Sequence, residues 1–98
     1  MSAYVVANYR ITDAAAYEPY PAAVVATLLA AGAEILVADY TSEAIERAPG
    51  DVTVILKFAS KAAAFAWRDS PEYQAIIHLR TDNSKGTVVL VDQWTAPE

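Results

Sequence analysis

Apolar and polar positions along this chain sort into four runs greasy on both alternating sets and, between them, stretches with helical spacing. Ala3 to Arg10 is the first run: Tyr4 and Val6 fall on one face, Val5 and Ala7 on the other, with Asn8 among them. Tyrosine and valine suit a pleated surface, and a strand apolar on both faces is one covered on both faces. Glu34 to Asp39 is a second strand centred on Ile35-Leu36-Val37. Val52 to Phe58 is a third, apolar on both faces apart from Lys57. Thr87 to Trp94 is the last, and its Val88-Val89-Leu90-Val91 shows no alternation.

The helical stretches carry their own start and stop signals. Thr12 can cap the first, with Asp13 favourable in its first turn. Tyr17 and Tyr20 are three apart and share a side. Pro19 and Pro21 interrupt this stretch, because an interior proline removes a backbone bond and collides with the preceding turn, costing about 3 kcal/mol. The expectation is a short first turn, a kink near Pro19 to Pro21, and a straight segment from Ala22 to Ala31 that Gly32 ends. Ser60 to Arg80 contains two further starts. Ser60 caps one helix and Ser70 the next, where Pro71 takes the position at which a missing N–H costs nothing and Glu72 meets the helix dipole. Tyr40 to Asp51 is polar and closes with Pro49-Gly50-Asp51, an excursion or irregular hairpin. Thr81 to Gly86 reads as a turn-rich loop, and the last four residues as a tail.

The order is β-α-β-β-α-β with the second helical element split. That is an α+β, ferredoxin-like arrangement: a four-stranded antiparallel sheet with helices on one face. The other face is also apolar, a patch too large for a soluble monomer, so a homodimer joining sheet to sheet is expected.

Composition adds limits rather than a function. The chain, 98 residues long, is of one-domain size, residues 1–98. Hydrophobic residues are 55% and charged ones 19%, an apolar excess that must be buried internally or against a partner. Twelve acidic residues against 7 basic give a net charge of −5, which argues against nucleic acid and anionic membrane surfaces as partners. There is no cysteine, so disulfides and thiolate metal sites are excluded. The N-terminus has no basic region followed by a cleavable apolar stretch, which points to the cytoplasm. The most apolar run, Ala22 to Ala33, is too short to span a bilayer. Glycines are scattered at positions 32, 50 and 86, and the chain has one histidine. No phosphate loop, metal-ligand spacing or serine triad emerges, so no cofactor or metal is expected.

Candidate chemistry gathers near the end of the Ser60–Arg80 stretch. On a helix starting at Pro71, Tyr73, Ile76, Ile77 and Arg80 fall on one face, while Gln74 and His78 fall on the polar side. An arginine centred on an apolar face needs a partner, since a lone buried charge is costly. It is either an anion site, the guanidinium holding a carboxylate or enolate in a pocket lined by Tyr73, Trp67 and Tyr17, or a helix-end arginine paired with a carboxylate such as Asp92. His78, the sole histidine, is a candidate general base whose side of the helix favours exposure. Asn8 either bonds a neighbouring loop or points into a cavity. Trp67 and Tyr73 also suit a core, and Asp39 and Asp92 end strands where solvent reaches them.

Phe58-Ala59-Ser60, the Ala62-Ala63 pair, Trp67 and Ser70-Pro71-Glu72-Tyr73-Gln74 together resemble the signature of the domain of unknown function 1330 family. Thr12-Asp13, Tyr17, Tyr20, Gly32 and Gly50 extend the resemblance over nearly the whole chain. It implies the dimeric α/β-barrel superfamily, whose ferredoxin-like subunits pair through their sheets. Family members often carry Arg-Gly-Gly where this chain has Ala38-Asp39-Tyr40, so no role of that arginine transfers here. They also tend to have prolines where this chain has Val25 and Ala26. Asn8, Trp67 and His78 are similar in type and order to the asparagine, tryptophan and histidine of haem-degrading monooxygenases in the same superfamily. His78 stands one residue later than that pattern, a rotation of about 100° on a helix. Three functions follow as expectations: a dimeric binder, or cofactor-independent enzyme, for a small polar or aromatic anion oriented by Arg80; a non-catalytic accessory dimer; and a haem protein using Asn8, Trp67 and His78.

Overall fold

In the computed structural model, which describes residues 1–97, the first strand, β1, spans Ala3–Ile11. Glu98, the end of the expected tail, lies outside the described residues. Two helices follow, α1 (Ala14–Tyr17) and α2 (Tyr20–Ala30), then β2 (Glu34–Asp39) and β3 (Val52–Phe58). Three more helices, α3 (Lys61–Arg68), α4 (Pro71–Gln74) and α5 (Ile77–Thr81), lead into β4 (Ser84–Asp92). The strands form one sheet in the order β2-β3-β1-β4, every pairing antiparallel. This is the ferredoxin-like α+β arrangement that the pattern predicts.

Alternation in β1 assigns the faces. Ala3, Val5, Ala7 and Tyr9 are buried under the helices, together with Val52, Leu56 and Phe58 of β3. Tyr4, Val6 and Asn8 point to the other face, which no element among the described residues covers. Register places Val37, Ile55, Val6 and Val89 in a row straight across all four strands on that open face.

Local signals set most element ends, with corrections. Asp13, not Thr12, caps α1, its Oδ1 accepting from the Ala16 N–H at 3.1 Å. The proline kink is a full break: Pro19 precedes α2 and Pro21 sits in its first turn, where prolines cost little, so α2 starts at Tyr20 rather than Ala22. Gly32 ends it with φ of 71° while the Ala33 N–H reaches back to the Leu28 carbonyl at 3.0 Å. Ser60 and Ser70 cap α3 and α4 as expected, accepting from the Ala63 and Tyr73 amides. The helix from Pro71, however, is not continuous. At Ile76 (φ −119°, ψ −9°) it breaks into α4 and α5, with tight bonds from Ile76 N–H to the Tyr73 carbonyl and from Leu79 N–H to the Ile76 carbonyl. Nothing local to Ala75-Ile76 stops a helix, so packing of the two halves imposes the turn. Finally, Ser84 to Gly86 are strand rather than loop: β1 runs on to Ile11 and offers them a ladder, Ile11 opposite Ser84 and Tyr9 opposite Gly86. A Cβ at Gly86 would collide with the Asn8 carbonyl oxygen and the Tyr9 backbone, so only glycine permits that approach.

Candidate functional site

Between the helix layer and the covered face of the sheet lies a cavity of about 500 Å³, within the range of small-molecule sites. Its apolar walls come from α2 (Val24, Leu28), from the sheet (Val5, Val54, Leu56) and from Ala64 on α3. Its polar groups include Arg80, the tyrosines at 9, 17, 20, 40 and 73, and Arg68, whose guanidinium is paired with Asp69 at 2.9 Å.

The tyrosines are joined through their hydroxyls into two clusters. Tyr9 and Tyr17 oxygens are 2.6 Å apart, and Tyr17 and Tyr40 oxygens 2.8 Å, giving a file of three. Tyr20 and Tyr73 form a pair at 2.8 Å. Tyr17 and Tyr20 rings pack at 5.5 Å between centroids, tying file to pair. Burial pushes the Tyr9, Tyr17 and Tyr20 phenols up from their ordinary value of 10.0, and for Tyr17 and Tyr20 the hydroxyl neighbours push further the same way. These hydroxyls therefore keep their protons beyond the pH at which a free phenol loses its own, each able to donate one hydrogen bond and to accept others.

Arg80, half-buried on α5, also lines the cavity. Burial works against its charge, but Tyr73 and Tyr20 outweigh it and hold the guanidinium's pKa above its ordinary value. The pairing with Asp92 does not occur: Asp92 faces Lys61 at 3.5 Å, and Arg80 makes no salt bridge among the described residues. The other ion pair is Arg68 with Asp69. Arg80 therefore carries a charge with no carboxylate counter-ion among the described residues, and such a charge in an apolar setting calls for a partner.

Of the residues singled out from the sequence, Arg80, Tyr73, Trp67 and Tyr17 meet at this cavity. Trp67 is 7% exposed and works as core. Its Nε1 donates to Thr27 Oγ1 at 3.0 Å, and its ring lies 4.1 Å from that of Tyr73, holding α2, α3 and α4 together. Asn8 bonds the neighbouring loop. Its Nδ2 donates to the Gly50 carbonyl at 3.0 Å and Thr53 Oγ1 at 2.9 Å, while its Oδ1 accepts from the Gly50 N–H at 3.0 Å. His78 is exposed. Asn8, on the open face of the sheet, Trp67, under the helices, and exposed His78 are not brought together. Asp39 stabilises its own turn, accepting from the Thr41 N–H at 2.8 Å. Sequence reasoning missed Tyr9, Tyr20 and Tyr40 as site residues. The available signal was the abundance of tyrosine, 6 in the chain, on segments that the βαββαβ order folds over one another.

No helix among the described residues is long and apolar enough to cross a membrane. Among solved structures, the chain is similar to RPA0582 of Rhodopseudomonas palustris, a protein of unknown function. The TM-score is 0.78 at 14% identity, covering 97% of this chain and 84% of that one. HapK from Hahella chejuensis matches with a TM-score of 0.65 and 14% identity over 98% of this chain and 96% of its own. Rv0793 from Mycobacterium tuberculosis matches with a TM-score of 0.56 and 19% identity over 100% and 98%. At such identities the likeness is one of fold. No curated protein matches the chain in sequence. Residues 2–94 match the family described as domain of unknown function (DUF1330), and the chain belongs to that family.

Proposed function

We propose that this protein is a dimeric binder of a small organic anion, or a cofactor-independent enzyme acting on one, in the cavity between helices and sheet. The observation that carries this reading is Arg80: a guanidinium lining an apolar cavity with tyrosine hydroxyls beside it and no carboxylate partner among the described residues. In this reading the guanidinium orients the anionic group, and the aliphatic wall of Val24, Leu28, Val54 and Leu56 receives an apolar or aromatic body. The open sheet face supports the dimeric part. Val37, Ile55, Val6 and Val89 line up across it, with Val91 beside Tyr4, and Val89 is 52% exposed. A second copy of this chain, carrying the same apolar row, covers it by two-fold pairing.

A panel of organic acids scored by thermal shift tests the site. A ligand at a hundredfold excess over its Kd adds about 2.7 kcal/mol of stability. Arg80→Ala is expected to abolish that gain for every acid that stabilises the unaltered chain, while leaving its mass in light scattering unchanged. Equal stabilisation of the variant would remove Arg80 from the site.

A further inference from the structure

Three successive residues of β4, Val88, Val89 and Leu90, line the cavity. Side chains alternate along a strand, so three in a row cannot all point under the helices. By register Val88 and Leu90 stand beside Ala7 and Val5 on the covered face, and Val89 stands beside Val6 on the open one. β4 is an outer strand of the sheet, paired with β1 alone. The cavity therefore reaches the free edge of β4 and opens around it toward the open face. The other outer strand differs. β2 lines the cavity through Ile35 and Ala38, opposite Leu56 and Val54 on the covered face, while its open-face residue Val37 stands outside the wall.

The helices are tied to β4 at both ends of this opening. Lys61 of α3 faces Asp92 at 3.5 Å, and Ser84 Oγ donates to the Arg80 carbonyl of α5. Between the ties, Phe65 of α3 and Val88 are 46% and 48% exposed, and Val89 is 52% exposed. A mouth rimmed by half-exposed apolar side chains is unsealed in a single chain, and covering such surface is favourable. Val89 belongs both to this rim and to the row Val37–Ile55–Val6–Val89, so whatever covers the row also covers the rim. The row crosses all four strands and is the same on every copy, which suits a two-fold contact. We infer that a second copy of this chain, seated on the row, closes the β4 mouth, so that ligand binding in the cavity and pairing of two chains strengthen each other. This rests on the cavity and dimer readings above and adds the coupling between them. Reciprocity fixes its form: the factor in affinity that a cavity loses on dissociation is the factor by which a ligand filling it strengthens the dimer.

Sedimentation equilibrium on the full chain, with and without saturating 3-phenylpropanoate, tests the coupling. With about tenfold in affinity at stake in each of two cavities, the acid should lower the dimer dissociation constant by about a hundredfold. Arg80→Ala, which leaves the row intact, should pair as the unaltered chain does and show no effect of the acid. Val6 lies in the row and outside the cavity wall. Val6→Asp should be monomeric, and calorimetry should find the acid bound to it about tenfold more weakly. A dissociation constant unmoved by an acid that binds, or a monomeric Val6→Asp that binds as tightly as the dimer, overturns the coupling and leaves the anion site and the dimer standing. An unaltered chain that stays monomeric overturns the dimer reading along with it. Failure of the acid to bind the unaltered chain overturns the Arg80 reading along with it. The sedimentation result on the unaltered chain decides the matter where Val6→Asp fails to fold.

Discussion

Arg80 and the phenols around it share one buried setting. Burial works against the guanidinium's charge while Tyr73 and Tyr20 raise its pKa, and burial raises the Tyr9, Tyr17 and Tyr20 phenols so that they keep their protons. That second effect has a measurable consequence at alkaline pH. A phenol whose folded pKa is raised keeps its proton where the unfolded chain, near 10.0, gives it up. Its contribution to stability is therefore complete below the unfolded value and declines as pH rises beyond it. Unfolding free energy from urea titrations should be level from about pH 8 to about pH 9.5 and fall from about pH 10 upward. A level profile to about pH 11 would mean that these hydroxyls are not held by the fold. Arg80 and Tyr73 were legible in the sequence because they fall on one apolar helical face, and Tyr17 through the side it shares with Tyr20. The hydroxyl clusters were not, since Tyr9, Tyr17 and Tyr40 sit on a strand, a helix and a loop that only the fold juxtaposes. Asn8 was legible as an anomaly, a bond to a neighbouring loop being one of two alternatives, and only the fold shows that loop to be the one at Gly50.

At the scale of elements, the helix starts follow from side chains that can satisfy free amides. Ser70 does this twice over, accepting from the Tyr73 N–H at 3.2 Å and donating to the Trp67 carbonyl at 2.7 Å, so it closes α3 and opens α4 together. Ser70→Ala should cost about 1 to 2 kcal/mol, read as a lower urea midpoint with an unchanged slope. Because Tyr73 follows directly on this cap, ligand affinity should weaken with it; a variant as stable as the unaltered chain would show the cap to be dispensable. Caps, prolines and Gly32 announce themselves locally, which is why β2 and β3 and the starts of α3 and α4 agree with the pattern. The break at Ile76 and the early start of β4 have no local signal. One comes from docking α4 and α5 separately, the other from a ladder that the end of β1 offers to whatever lies beside it.

For the whole molecule, the decisive feature is a sheet with two apolar faces and helices on one. The covered face holds the cavity; the open face carries the row Val37–Ile55–Val6–Val89. If a second copy shelters that row, a charge placed in its middle should separate the subunits. Val89→Asp is expected to give a monomeric mass in light scattering at concentrations where the unaltered chain has twice that mass. It should cost the isolated fold little, because Val89 is already 52% exposed within one chain. An unaltered chain that is itself monomeric at micromolar concentration would overturn the pairing.

The order of elements, the antiparallel four-stranded sheet and the placing of Arg80 and Tyr73 on one helical face follow from periodicity, caps and the cost of an arginine on an apolar face. Those are properties of neighbours along the chain, so the sequence contains them directly. Which carboxylate Arg80 would meet, whether Asn8, Trp67 and His78 converge, and which hydroxyls join into clusters depended on distances between residues far apart in sequence. Such distances exist only once the sheet has set its register and the helices have closed over it.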